Sequence, residues 1–375
     1  MAWKVKTKMS QRYEFVQLAK KEGCNFSQLC KRFHISRPTG YKWLKRYRED
    51  DISTLQDQSK RPYHSTNKTK QETEKLILDL RKKHPSWGGR KLKRRLENLG
   101  YGNIPSATTI GNILKRNGVI TDEASAKATS FIRFEHPNPN DLWQMDFKGW
   151  FSMDRQRCHP LTVLDDHSRY SIVLKGCLHE RTEIVQSALI DAFRKYGLPR
   201  RMTMDNGAPW AGHDRGQLTT LTAWLIRLGI KVSHSRPYHP QTQGKDERFH
   251  RTLKVELLNH NHYSDLDEVS VAFDKWRDIY NTQRPHEALG MDTPISRYQP
   301  SPRNYPDILP PIEYDYNDTV RKINGDGKLS IQGVVFTIGR ALEGQYIALK
   351  PTKTDGVIDV FYCHQKIKTL DLRDK

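Results

Sequence analysis

Three acidic residues in this chain have the type and the surroundings to bind a divalent metal ion. Asp146 lies in an apolar alternation that suits a β-strand, and Asp205 lies where a short β-like run meets an Asn-Gly turn. Glu247 follows a proline-containing loop and falls in the first turn of a predicted helix, where the helix N-terminus stabilises a carboxylate. Carboxylates from three separate elements predict a site for a metal with oxygen ligands, of the kind that serves phosphoryl transfer.

The positive charge of the chain is concentrated in its N-terminal third. Residues 1–130 hold 29 Lys and Arg against 12 Asp and Glu, whereas the remaining residues hold 34 against 31, within a total net charge of +20. A basic region beside a near-neutral one indicates a nucleic-acid-binding module attached to another domain. Binding to a membrane surface is the competing interpretation, but no strongly apolar helix face accompanies the charge.

Residues 1–50 are predicted to form a helix-turn-helix domain of three short helices. Apolar residues recur at helical spacing in each helix, and Ser36 is suited to cap the third, with Pro38 in its first turn. The third helix of such a domain lies in the major groove of DNA. Its candidate DNA contacts are Arg37, Thr39, Lys42, Lys45 and Arg46. The alternative is a small helical bundle with a solvated basic face.

A second helix-turn-helix domain is predicted over residues 68–120, after a polar linker at 51–67 and before a hinge at 121–133. Leucine and isoleucine recur at helical spacing in three segments, and Ser106 is suited to cap the last of them. Two modules in tandem would contact a longer stretch of DNA than one module could. The candidate DNA contacts here are the basic residues Arg90, Lys91, Lys93, Arg94 and Arg95.

Residues 134–298 are predicted to form a mixed α/β domain that positions the three acids. Strand signals come first, around Asp146 and over 161–174, and an amphipathic helix follows at 182–196. Short strands then alternate with helices, an order that predicts a mixed sheet covered by helices. Asp146 is therefore expected on a strand and Asp205 at the end of another.

The motifs around the three acids resemble, in the same order, the integrase core of bacterial insertion-sequence transposases. They read Gln-Met-Asp-Phe at 144–147, Asp-Asn-Gly at 205–207, and His-Pro-Gln-Thr-Gln-Gly-Lys-Asp-Glu-Arg-Phe-His-Arg-Thr-Leu-Lys at 239–254. These transposases are DDE enzymes related to retroviral integrases, so the resemblance implies an RNase H-like core. The 41 residues between the second and third acid are somewhat more than related families usually have. We expect the surplus in the loop at 210–217.

The resemblance also implies the chemistry of the site. Two divalent ions, Mg²⁺ or Mn²⁺, would fit ligands that are all oxygen atoms, whereas zinc would favour His or Cys. Asp146 would bridge the ions, and Asp205 and Glu247 would hold one each. Candidate phosphate contacts beside the site are Lys245, Arg248, His250 and Arg251.

Other residues near the site have plainer interpretations. Asp165 and Asp166 lie in a turn beside Ser168, where acids usually cap the turn. Asp246 is expected to point into solvent from the helix that carries the third acid. For His239, ordering the loop and contacting DNA are both open.

The C-terminal region is predicted to be a separate all-β module. Several prolines mark an extended linker at 299–315, and repeated short strand signals at 316–375 predict a small β-barrel. It resembles the barrels appended to transposase and integrase cores. Contact with DNA and a structural or oligomerisation role are both open for it.

The resemblance as a whole implies a DNA transposase that acts on double-stranded DNA as a homodimer or larger assembly. It would bind the terminal inverted repeats of its element, cut at the ends and join the 3′-ends to target DNA. One rival is a sequence-specific DNA-binding regulator with an inactive core, which the intact acid triad argues against. The other is an RNase H-type nuclease, which two DNA-binding modules argue against.

Composition excludes several other classes of protein. The five cysteines are scattered without Cys-x-x-Cys spacing, which argues against a disulfide framework and a zinc site. No apolar run approaches the ~20 residues of a membrane span. We therefore expect a protein of the bacterial cytoplasm, associated with the nucleoid.

Overall fold

A computed structural model describes residues 7–48, 51–58, 69–120, 135–210, 218–234 and 244–373. These residues belong to two compact units, residues 1–68 and residues 69–375. The loop at 211–217 and His239, both named above, lie outside the described residues. No helix in the described ranges is long and apolar enough to cross a membrane.

The first unit contains the three predicted helices. They are α1 (Lys8–Ala19), α2 (Phe26–Arg32) and α3 (Arg37–Arg46), followed by a 3₁₀ turn at Ile52–Leu55. The Ser36 side chain accepts a hydrogen bond from the backbone N–H of Thr39, so the predicted cap of α3 is confirmed. Gly40 lets α3 approach closely, because a Cβ there would lie 2.9 Å from Cys30 Sγ and from the ring of Phe15. The packed face of α3 is thereby fixed, and its basic residues are left outside.

The second unit begins with another three helices. They are α4 (Gln71–Lys83), α5 (Gly89–Asn98) and α6 (Ala107–Arg116). Ser106 caps α6 through the backbone N–H of Thr109. Their shared core is built around Ile77, Leu92 and Ile110, so the predicted apolar spacing is confirmed.

The central domain is a six-stranded mixed sheet with helices on both faces. Its strands are β1 (Trp143–Phe147), β2 (Phe151–Ser152), β3 (Arg157–Asp165), β4 (Ser171–Cys177), β5 (Arg201–Met204) and β6 (Lys231–His234). The order is β2-β3-β1-β5-β6, with β4 also paired to β3. The pairs β1–β3 and β3–β4 are antiparallel, and β1–β5 and β5–β6 are parallel. The predicted RNase H-like order of elements is confirmed.

Four helices cover this sheet, two on each face. They are α7 (Thr182–Tyr196), α8 (Thr220–Arg227), α9 (Gly244–Glu256) and α10 (Leu266–Thr282). Val163 of β3 belongs to the core that contains α7 and α8, whereas its neighbour Leu164 belongs to the core that contains α9 and α10. This alternation is expected of a strand buried on both faces. The sheet therefore fixes α9 in place relative to β1.

The C-terminal module is all-β, as predicted. Its strands are β7 (Thr319–Lys322), β8 (Lys328–Ile331), β9 (Val334–Thr337), β10 (Tyr346–Pro351), β11 (Val357–Tyr362) and β12 (Gln365–Asp371). They form a four-stranded antiparallel sheet, β12-β11-β10-β7, and a separate β8–β9 hairpin. Ile347 and Val360 lie in the same apolar cluster as the central domain. The Gln365 side chain bonds both the N–H and the C=O of Val232, which ties the module to strand β6.

The segment 299–315 has no helix or strand, in keeping with its predicted extended form. It is nevertheless held against the central domain along its first part. Arg303 donates hydrogen bonds to the carbonyls of Pro199 and Gly229 at 2.7 and 2.9 Å. The segment therefore attaches the C-terminal module firmly to the sheet.

Candidate active site

The fold places Asp146 and Asp205 at one edge of the central sheet and Glu247 on α9, which packs against one face of that sheet. Strands β1 and β5 run parallel with Gln144 level with Thr203. Continuing that register by two residues places Asp146 level with Asp205. Glu247 lies in the first turn of α9. The negative charges of Asp205 and Glu247 both raise the pKa of the Asp146 carboxyl.

The environment of Asp146 favours a bound cation. The pKa of Asp146 is raised to about 7. Burial is the largest cause, and the negative charges of Asp205, Glu180 and Glu247 follow it. Only the hydrogen bond from the Phe147 N–H opposes this rise. A divalent cation would relieve the repulsion between the carboxylates, and all these donors are oxygen atoms.

Asp146, Asp205 and Glu247 fit an Mg²⁺ or Mn²⁺ site in donor type and in electrostatics. In the ranges that the structure describes, however, no three His, Cys, Asp or Glu side chains lie close enough to form a ready-made metal site. Glu247 is exposed, whereas Asp146 and Asp205 are partly buried.

Asp205 is held by the turn that follows β5. Its Oδ1 accepts a hydrogen bond of 2.9 Å from the N–H of Gly207, and its carbonyl accepts one of 2.8 Å from Nδ1 of His234 on β6. A Cβ at position 207 would lie only 3.2 Å from Asp205 Oδ2. The glycine of the Asn-Gly turn thus keeps the carboxylate free on one side.

His250 lies between α9 and the strand that carries Asp146. The Thr162 hydroxyl donates to the Asp146 carbonyl at 2.9 Å, so it accepts from His250 Nε2 at 2.8 Å. Burial and the nearby Lys148 lower the pKa of His250 to about 4. The His250 side chain is 13% exposed and packs α9 against β1 and β3, so it does not lie where the expected phosphate contact would be.

Lys245 also does not lie where it could make the predicted phosphate contact. Its ammonium is largely buried and pairs with Asp166, which is 1% exposed. Asp166 also accepts hydrogen bonds from Gln144 Nε2 at 2.8 Å and from the N–H of His136 at 2.9 Å. The neighbouring Asp165 accepts from the N–H of Ser168, as expected of an acid that caps a turn. These bonds anchor the start of α9.

The expectation that Asp246 is solvated is wrong. It is 3% exposed, and burial, followed by the charges of Asp146 and Asp166, raises its pKa well above the usual value. The cause is the helical period, because Asp246 lies three and seven residues before the buried Phe249 and Leu253. That spacing was the signal in the sequence. The Asp246 side chain is thus buried beside the other acids, and one of its oxygens, Oδ1, has no hydrogen-bond partner among the described residues.

Glu180 is a further acid near Asp146 that sequence reasoning missed. It follows β4, and its Oε1 lies 2.7 Å from His159 Nδ1. An acid one residue outside a helix is ordinary in sequence, so no local pattern distinguishes it. Its closeness to Asp146 comes only from the pairing of strands.

The outer side of α9 presents basic residues next to Glu247. Arg248, Arg251 and Lys254 are all exposed, at positions spaced by three residues. Of the predicted phosphate contacts beside the site, Arg248 and Arg251 therefore face solvent.

The predicted DNA contacts of the first unit also lie on an accessible surface. Arg37, Lys42 and Lys45 of α3 are exposed, whereas Thr39 and Arg46 are half-buried. Arg46 and Lys42 lie over the ring of the buried Trp43, at 5.3 and 4.9 Å from its centre. Apolar and basic residues thus occupy different sides of α3, as the sequence indicated.

The predicted contacts of the second module are arranged differently. Four α5 side chains reach the central domain: Arg94 donates to Asp292 at 2.9 Å, Arg95 donates to Gln283 at 2.7 Å, and Lys91 and Arg90 lie 4.0 and 3.9 Å from Glu256 and Glu287. Lys93 instead pairs with Glu97 on its own helix at 3.4 Å, and Arg90 is 75% exposed. The contacts with the central domain direct Lys91, Arg94 and Arg95 away from a free DNA-binding surface.

Several known families match the chain in the order of these domains. A helix-turn-helix domain family matches residues 11–63, and a homeodomain-like domain family matches 39–114. Two integrase core domain families match residues 136–240 and 228–294. The C-terminal domain of IS481 family transposases matches residues 318–375.

Individual relatives agree with these matches. The chain is 29% identical over 229 residues to the "Insertion element IS476 uncharacterized 39.2 kDa protein" of Xanthomonas euvesicatoria, covering 58% of this chain and 62% of that protein. It is 26% identical to the "Insertion element IS407 uncharacterized 31.7 kDa protein" of Burkholderia multivorans, covering 42% of this chain and 54% of that protein. The chain thus spans less than two thirds of the length of each of these two relatives.

Among solved structures, the chain is similar to the HTLV-2 integrase catalytic core domain in complex with magnesium. The match covers 44% of this chain and 99% of that one, with 18% sequence identity and a TM-score of 0.34. The matched families and the relatives cover every part of the chain that carries a predicted motif. The chain therefore carries matches to integrase core domain families and to the C-terminal domain of IS481 family transposases, and it is similar to proteins of bacterial insertion elements.

Proposed function

We propose that this protein is a DDE transposase that cuts at the ends of its element and joins the 3′-ends to target DNA. The observation that carries the proposal is the pairing of β1 with β5, which puts Asp146 level with Asp205, while the charge of Glu247 acts on Asp146 and Arg248 and Arg251 are exposed beside Glu247. Acids that repel one another suit divalent cations, and exposed arginines suit phosphates.

Asp146, Asp205 and Glu247 would hold the metal ions, with Asp146 between the other two. Divalent ions held there would supply activation of an attacking oxygen and stabilisation of the leaving oxygen of a phosphodiester. The protein's own residues orient this site. Lys245 and Asp166 fix the first turn of α9, and Arg248 and Arg251 would contact the DNA backbone on either side of the scissile phosphate.

The N-terminal unit would bind the terminal inverted repeats through α3. Its exposed Arg37, Lys42 and Lys45 form a basic face that suits the DNA backbone and base edges of the major groove. Joining also requires that the other end of the element and the target DNA are held in place. We therefore propose a homodimer or larger assembly on double-stranded DNA.

The test uses labelled element ends, a plasmid target and Mg²⁺ or Mn²⁺, with wild type compared with Glu247→Gln at matched DNA binding. Wild type is expected to yield cut ends and joined product, and Glu247→Gln neither. Asp246→Asn is the matched control, because it changes the adjacent acid, which is buried and has a raised pKa, and it should retain joining. Binding without cutting by wild type would favour a regulator with an inactive core. Cutting without joining would favour a nuclease, and full activity of Glu247→Gln would exclude the assigned glutamate.

A further inference from the structure

The contact between the second helical module and the central domain is built from charged and polar side chains. On α5, Arg94 meets Asp292 and Arg95 meets Gln283. Both central-domain partners lie beyond the end of α10, in the segment that closes the domain. Ile279 of α10 adds an apolar contact with the core of the module. Charged contacts of this kind fix orientation and register more than they add affinity.

One of these contacts reaches the helix that carries the third acid. Glu256 is the last residue of α9, and Glu247 lies in its first turn. Nine residues of α-helix separate them, about 14 Å along the axis. The Glu256 side chain is 9% exposed and accepts a hydrogen bond of 2.9 Å from Arg284 Nε, with Lys91 of the module 4.0 Å away. The module therefore abuts the opposite end of the catalytic helix.

The docked module leaves α6 facing outward. Thr108, Asn112 and Lys115 are exposed and lie at helical spacing on one side of α6, opposite the buried Ile110 and Leu114. Such polar side chains can bond base edges and phosphates. The module as a whole carries 12 Lys and Arg against 4 Asp and Glu between residues 69 and 120, which suits an anionic partner. Its DNA-facing side is thus α6, while α5 serves the interface.

We propose that the α5 interface is a positioning device: it holds the DNA-reading helix α6 at a fixed distance from Glu247 and so determines which phosphate is cut. The proposal rests on the proposed function, since it assumes that the protein cuts element ends. It assigns double-stranded DNA to the outer face of α6. It also assigns Arg94, Arg95 and Lys91 to contacts within the protein.

The experiment maps the cut position at single-nucleotide resolution on labelled element ends, using the full chain. Arg94→Glu and Asp292→Arg each place like charges across the interface, and the combined Arg94→Glu/Asp292→Arg variant restores opposite charges. Both side chains are about 40% exposed, so these substitutions spare the cores. Glu256→Lys breaks the interface at its buried point, with thermal unfolding recorded to check folding. Lys82→Glu is the matched control, because Lys82 is an exposed basic residue of the same module that lies on α4, outside the α5 interface.

Each single reversal is expected to reduce cutting at the wild-type phosphate about tenfold and to spread cuts to neighbouring phosphates, with DNA affinity within about twofold. The combined variant should restore the wild-type position, and Lys82→Glu should keep it. Cutting at the unchanged phosphate and rate by both single variants would refute the inference alone. Faster cutting by them would also refute it, because the interface would then be inhibitory. A wild type that cuts nothing would refute the proposed function and this inference together.

Discussion

Replacing Lys91 by methionine should make the protein more stable at neutral pH, although it removes a charge from an interface. The Lys91 ammonium is 20% exposed and lies between Glu256 and Arg284. Burial, followed by the charge of Arg284, lowers its pKa to about 8, and Glu256 only partly offsets this. Methionine has a similar length and carries no charge, so it fills the same space without this penalty.

The size and the pH dependence of the effect follow from linkage. Between pH 8 and the ordinary lysine value of 10.5, the unfolded chain binds a proton at Lys91 that the folded chain does not bind. The free energy of unfolding of wild type therefore rises with pH across this window. At 1.4 kcal/mol per pKa unit, the integrated gain is about 3 kcal/mol. Below pH 8 the whole penalty is present, so Lys91→Met should be more stable than wild type by up to about 3 kcal/mol at pH 7.

The assay is urea unfolding of both proteins at intervals from pH 7 to pH 10.5. Taking the difference between them cancels the titration of all the other groups. The advantage of Lys91→Met should shrink steadily above pH 8 and vanish near pH 10.5. Lys93→Met is the control, since Lys93 is about 40% exposed and its difference from wild type should stay small and flat. A Lys91→Met difference that is constant from pH 7 to pH 10.5 would refute the reasoning.

Three further predictions concern other contacts. Asn281→Ala removes bonds of 2.8 and 3.1 Å to the N–H and C=O of Ser171 and should lower the free energy of unfolding by about 2–4 kcal/mol in urea; an unchanged midpoint would contradict this. Lys42→Ala should weaken DNA binding and reduce the slope of log K against log salt by about 1, without changing stability; an unchanged slope would remove Lys42 from the DNA contacts. Gln365→Ala leaves the N–H and C=O of Val232 unpaired and should cost about 1–3 kcal/mol of stability; hydrogen exchange at Val232 as slow as in wild type would contradict it.

The elements of this fold could be predicted from sequence because local patterns determine them. Helix α7 has the predicted bounds, Thr182–Tyr196, since its apolar residues keep a strict helical spacing and Gly197 ends it. Ser36 and Ser106 cap their helices as expected. The acids were found because each lies in a motif that resembles a known family.

The surroundings of the acids could not be predicted, because they depend on contacts between distant parts of the chain. Lys245 meets Asp166 across 79 residues, and Arg94 meets Asp292 across 198. A basic residue on a helix face looks the same in sequence whether it faces DNA or a partner acid. Asp246 is the exception, because its spacing from Phe249 did indicate burial.

The most direct test of the account is anomalous diffraction from Mn²⁺ in crystals of the protein bound to an element end. The account predicts two peaks about 3.5–4 Å apart, with Asp146 in contact with both and Asp205 and Glu247 with one each. Peaks elsewhere, for instance between Glu180 and His159, would contradict it. Two Mn²⁺ peaks of undiminished height at unchanged positions in crystals of Glu247→Gln would also contradict it.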